Sequence, residues 1–149
     1  FNEDPWRVTT LNPDSFYAMR PYVMPLRYCD VLGFTLGGFL VGTYGMEEFL
    51  VPFAKAFRAL PAQQFAEVSG STETVKLRTL MHDAKTWFYV VNTADAPAAF
   101  TVGVEAARVT DLVTGGPAAE LKDKALALKL EPYQLRSFCV EGEVGVKAE

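Results

Sequence analysis

The sequence predicts an α+β chain, with a helix–strand–helix segment over residues 1–61, an antiparallel β-sandwich over residues 65–141 and a tail at 142–149. Three observations predict it. Apolar residues recur at helical spacing in MEEFLVPFAKAFRAL, and an uncharged glycine-rich run precedes that segment. From Val75 onward the period of the apolar residues drops to two. Between these regimes, residues 61–73 carry PAQQ and SGSTET, the polar chemistry of a linker.

The first helix is expected after Asn12, an N-cap residue followed by Pro13 at the first helical position. The segment DSFYAMRPYVMPLRYCD then reads as helical but interrupted at Pro21 and Pro25.

Next comes VLGFTLGGFLVGTYG, residues 31–45, with five glycines and no charge. A membrane span needs about 20 predominantly apolar residues. Asp30 and the pair Glu47 and Glu48 close this run too early, and the Gly38–Gly42 GxxxG spacing has little meaning outside such a span. A phosphate loop needs a lysine after its last glycine, but Thr43 follows Gly42. The remaining reading is a short strand buried on both faces, glycine-rich where another backbone approaches, with TYGMEE turning into a helix.

That helix places Phe49, Phe53, Phe57 and Leu60 on one face and keeps Glu47, Lys55 and Arg58 off it. Glu47 and Glu48 suit its positive N-terminal end, and Pro61 stops it. Pro52 predicts a kink or a later start near Phe49. Helix, strand and helix in this order form a piece of an α/β layer too small to close a sheet alone.

Six strands follow, read as VKLRTLM, TWFYVVN, AAFTVGV, ARVTDLVT, ALALKL and YQLRSFCV, and their close spacing indicates a sandwich or barrel. Val75, Leu77 and Thr79 alternate with Lys76 and Arg78, and Leu126, Leu128 and Leu130 alternate with Ala127 and Lys129. One face is therefore expected in the core and the other largely wet.

With 149 residues, half of them hydrophobic, the chain can build one well-covered core, or one domain and part of another. Its net charge is −4 and its Lys and Arg are scattered singly, which argues against a nucleic-acid partner. The sequence starts at Phe1 with no initiator Met, and FNEDPWRV lacks the basic and apolar regions of a signal peptide; the expectation is that processing or truncation has removed what came before. Cys29 and Cys139 are the only cysteines and read as two isolated buried thiols, with a single disulfide left open.

The catalytic inventory is poor. His82, the only histidine, falls in the MHDAK turn and reads as exposed rather than as a base. One His and two distant Cys do not make a zinc site, and no metal or cofactor is expected. Glu3 resembles a strand-end acid, but a solvated acidic turn explains it much more simply. Asp30, Glu47 and Glu48 read as caps and dipole partners. Trp87 and Tyr89 share one face of their strand, where core packing accounts for them more simply than a sugar platform.

EEFLVPFAKAFRALPAQQF, WFYVVNT with its turn, and VTDLVTGG followed by LKLEPYQLRSF resemble the C-terminal portion of glycoside hydrolases, from about Phe34 onward. In those enzymes a (β/α)8 barrel precedes a small antiparallel sandwich. The resemblance implies that residues 13–30 are the seventh barrel helix, 34–41 the eighth strand and 47–60 the eighth helix. Thr43 and Tyr44, just past that strand, are then the residues placed to touch substrate. The catalytic carboxylates lie on earlier strands and match nothing here, so no catalytic residue is assigned. The chain reads as a non-catalytic C-terminal part whose partner is an upstream barrel of the same polypeptide, with carbohydrate as ligand and a lean to a secreted or periplasmic setting. The alternative is a stand-alone sandwich that binds carbohydrate or a protein, with residues 1–60 as its own helical cover.

Overall fold

A computed structural model describes residues 15–29 and 46–149. The alternation of ALALKL is the clearest link from sequence to structure. Leu126, Leu128 and Leu130 are buried in β7 (Ala125–Leu130), while Ala127 and Lys129 are exposed. They face a core shared by two antiparallel sheets.

The other strands are β1 (Ala66–Glu67), β2 (Val75–His82), β3 (Lys85–Asn92), β4 (Ala98–Val104), β5 (Thr110–Asp111), β6 (Leu121–Lys122), β8 (Leu135–Glu141) and β9 (Val146–Ala148). One sheet, A, runs β1-β2-β3-β8-β5, and the other, B, runs β6-β7-β4-β9. Leu77, Phe88, Val90 and Phe138 from sheet A meet Val102, Leu126 and Leu128 from sheet B. Phe88 lies opposite Phe138, with ring centroids 5.1 Å apart. The long central strands are edged by strands of two or three residues, which leaves little free edge for pairing with another chain.

Two connections are tight. At Asp83–Ala84 and at Asp123–Lys124 both central residues have positive φ, between 50° and 65°, as a two-residue type I′ hairpin requires. His82 pairs with Lys85 across the first, and Lys122 with Ala125 across the second.

The helical part is a short 3-10 turn over Ser15–Met19, then α1 (Arg20–Tyr28) and α2 (Glu47–Arg58). Contrary to expectation, neither Pro21 nor Pro25 interrupts α1. Pro21 sits in the first turn, where its missing N–H has no intrahelical acceptor, and Pro25 deprives only the carbonyl of exposed Pro21. Likewise α2 starts at Glu47, not near Phe49, and passes through Pro52. Phe49 and Leu50 N–H both reach the Met46 carbonyl, and Pro52 and Glu48, whose carbonyl loses a donor, are exposed. The Asn12 cap and the glycine-rich residues 31–45 lie outside the described residues.

Three further expectations change. The outer face of sheet A is not wet: Tyr89, Val91 and Leu135 are buried there beneath Val23, Leu26, Phe53 and Ala56 of the helices. The strand read over 107–114 shrinks to Thr110–Asp111. Its chain folds back through Gly115 (φ 73°) so that Thr110 bridges Pro117. Residues 142–149, read as a tail, carry β9, which pairs with β4.

Candidate functional site: the docking face between helices and sandwich

Period-two alternation gives β3 and β8 two apolar faces. Phe88, Val90, Phe138 and Val140 point into the sandwich, while Tyr89, Val91 and Leu135 point at the helices. Such a strand reads as a continuous apolar run, as FYVV does, because neither face meets water. The helices answer with amphipathic faces. Phe53 and Ala56 are buried, and Phe49, Phe57 and Leu60 pack at the rim. Tyr22 of α1 lies 5.7 Å from Phe53, and Phe65 lies 5.2 Å from Tyr89, both by ring centroids.

A buried polar contact helps to fix this face. The last carbonyls of a helix have no intrahelical donor. In α2 the Lys55 carbonyl takes the Ala59 N–H at 3.3 Å, and the Phe57 carbonyl takes the Leu60 N–H at 3.2 Å. The Ala56 carbonyl instead accepts the hydroxyl of Ser137, on β8, at 2.8 Å. Both residues are fully buried. Alanine at 56 leaves room for this close approach.

The motifs that carry the family resemblance form polar anchors around the sandwich. Asn92, the Asn of WFYVVNT, is buried. Its Nδ2 donates to the Ala96 and Glu131 carbonyls at 2.8 and 3.0 Å, and its Oδ1 accepts the Ala94 N–H at 3.0 Å. It ties the turn after β3 to the turn after β7. Asp111 of VTDLVTGG accepts the Val113 and Thr114 N–H groups at 2.8 and 3.2 Å through Oδ1. Its Oδ2 meets Arg136 of LEPYQLRSF at 2.5 Å, and Glu120 meets the same guanidinium at 3.1 Å. Burial works against the Arg136 charge, but the hydrogen bonds it donates to Asp111 and Glu120, with the attraction of their charges, outweigh burial and raise its pKa above its usual value. Thr86, also buried, donates to the Gly142 carbonyl and accepts the Val144 N–H, each at 2.9 Å, and so holds the turn into β9.

The residues singled out in the sequence do not assemble into a reaction centre. Thr43 and Tyr44 lie outside the described residues, as do Glu3 and Asp30. His82 is half-exposed, with Nε2 3.3 Å from Asp83. Glu47 and Glu48 occupy the first turn of α2. Trp87 is half-buried against the helical core, its Nε1 donating to the His82 carbonyl at 3.3 Å. Both cysteines are free thiols, but only Cys139 is buried; Cys29, expected to be buried too, is exposed just past the end of α1. An open cleft lined by Glu105, Arg108, Thr110, Cys139 and Glu141 has its acids tied up, since Glu105 pairs with Lys124 and Glu141 with Lys85. Among the described residues no group of three or more His, Cys, Asp or Glu could hold a metal ion, and no helix is long and apolar enough to cross a membrane.

Sequence reasoning did not single out Ser137, Asn92, Arg136 or Asp111. Asp111 had a local signal, an Asp followed by a Thr-Gly-Gly turn, which favours an Asx turn over a strand. Ser137 had none, because its partner is 81 residues away.

No known family model matches the chain, and no curated protein matches it. Its structural neighbours are glycoside hydrolases that cover about half of it at low identity. An AmyP complex with maltose matches with TM-score 0.46 at 17% identity, over 53% of this chain and 16% of that one. Alpha-galactosidase I from Mortierella vinacea matches with TM-score 0.44 at 11% identity, over 54% of this chain and 24% of that one. A β-L-arabinopyranosidase from Geobacillus stearothermophilus in complex with arabinose matches with TM-score 0.40 at 12% identity, over 53% and 20%. The chain thus spans a quarter or less of the length of these structures, and likenesses this distant assign neither a family nor an activity.

Proposed function

We propose that this chain is the C-terminal, non-catalytic part of a glycoside hydrolase. In this reading residues 1–61 end a (β/α)8 barrel, and residues 65–141 form the sandwich that buttresses it, with β9 from 142–149 as its last strand. The observation that carries the reading is the shared core of the helices and sheet A, sealed by the Ser137 hydroxyl on the Ala56 carbonyl. A sandwich that braces helices needs a second apolar face, and sheet A has one. The phrases WFYVVNT, VTDLVTGG and LKLEPYQLRSF support the same reading. Exposed Tyr17, Tyr28 and Val51 give the helical layer apolar surface on which earlier parts of a barrel can pack.

The sandwich positions and stabilises, and the acid and nucleophile belong to the upstream barrel. Thr43 and Tyr44 are the residues of this chain assigned to substrate contact, because active sites of such barrels gather at the C-terminal ends of the strands. The test is an assay of the 149-residue chain against a panel of aryl glycosides. No turnover above buffer is expected. Turnover abolished by substituting a carboxylate of this chain would overturn the reading.

A further inference from the structure

We propose that the left-handed turn at Tyr133 is a latch, held in that conformation by docking of the Ser15–Tyr28 helical segment on the sandwich. The turn Glu131–Pro132–Tyr133–Gln134 carries the chain from β7 in sheet B to β8 in sheet A. Tyr133 has φ 52°, a conformation disfavoured for a side chain with a Cβ and favoured for glycine. The backbone bonds around it do not explain the choice of tyrosine. The Tyr133 N–H reaches the Ala94 carbonyl at 3.1 Å, the Glu131 N–H reaches Gln134 Oε1 at 2.9 Å, and Asn92 Nδ2 reaches the Glu131 carbonyl. A glycine at 133 would keep all three.

What only the tyrosine supplies is its ring. It is buried among the helical-layer residues, with its centroid 6.2 Å from both Phe16 and Tyr17, which themselves stack at 4.4 Å. The left-handed backbone aims the ring at the 3-10 turn, and burial of the ring offsets the backbone strain. Docking of the segment and handedness of the turn are then two descriptions of one two-state element, and each biases the other. Through the Glu131 carbonyl the element reaches Asn92, so undocking also loosens the joint between the turns after β3 and β7.

The test reads the turn while changing only the helical side. In the Tyr17→Ala variant, and in Phe16→Ala with Tyr17→Ala, the Cα shift and the HN–Hα coupling of Tyr133 should move from left-handed values toward negative φ. The double variant should move further than the single one. Tyr133→Phe, which keeps the ring, should leave the amide exchange of Val23 and Leu26 within about twofold of the parent. Tyr133→Gly should accelerate it by on the order of tenfold, although the backbone is relaxed. A Tyr133 that stays left-handed in the folded Tyr17→Ala protein, or a Tyr133→Gly protein with unchanged exchange at Val23 and Leu26, would overturn the proposal.

Discussion

The hydroxyl of Ser137 donates to the backbone carbonyl of Ala56 at 2.8 Å, so a β-strand of the sandwich completes the last turn of α2. Both groups are sealed from water. Ser137→Ala removes the donor and leaves a buried carbonyl without a partner, which costs about 1–3 kcal/mol. Urea unfolding should show a lower midpoint with an unchanged slope.

The Asp111–Arg136–Glu120 cluster predicts a graded response. Asp111→Ala removes both the turn's acceptor and the main partner of a largely buried guanidinium, for a loss of about 3 kcal/mol. Asp111→Asn keeps an oxygen for the Val113 and Thr114 N–H groups and gives up only the charge, so its loss should be smaller. Equal losses in chemical denaturation would mean that the turn's acceptor contributes nothing and the charge accounts for the whole loss.

Ala84 occupies the second position of a type I′ turn at φ 56°, where glycine is unstrained. Ala84→Gly should stabilise by about 0.5–1 kcal/mol, since relief of strain exceeds the added entropy of the unfolded chain. Lys124→Gly relaxes the matching turn but gives up the exposed pair with Glu105 at 3.2 Å, and should gain less. Thermal unfolding of the two variants measures the order.

Burial pushes the Cys139 thiol up; Glu141 adds to this and Lys85 opposes it. The thiolate is the reactive form, so iodoacetamide should label exposed Cys29 rapidly and Cys139 slowly. The raised value has a sign in stability too. The unfolded thiol ionises first, near about 8.5, so stability from this group is full below that pH and is lost as pH rises through the folded value. Cys139→Ala should lessen the decline of the unfolding midpoint above about pH 8.5.

Elements whose pattern reports their own burial were legible in the sequence. The stripe of Phe49, Phe53 and Phe57 gave α2, and the alternating leucines gave β7, because one face of each meets the core. Pro21 and Pro25 misled, since Pro21 sits in the first turn and the carbonyl that Pro25 leaves without a helical donor is that of exposed Pro21; α2 likewise begins before the later start that Pro52 suggested. β5 was overread because Val109, Leu112 and Val113 look like a strand, while the Asp111 side chain turns the chain after two residues. The second face of sheet A and the Ser137 contact were illegible, for they depend on residues brought together from distant parts of the chain. The polar residues of the resembling phrases, Asn92, Asp111 and Arg136, serve turns and ion pairs. That explains how a phrase can mark a fold without marking a reaction.

If the sandwich and its helices serve a larger enzyme, as proposed, the intact mass of the native gene product will exceed that of these residues. The expected chain is longer by at least about 200 residues, the room an upstream (β/α)8 barrel needs. A native product of 16.4 kDa, the mass of these 149 residues alone, would contradict it.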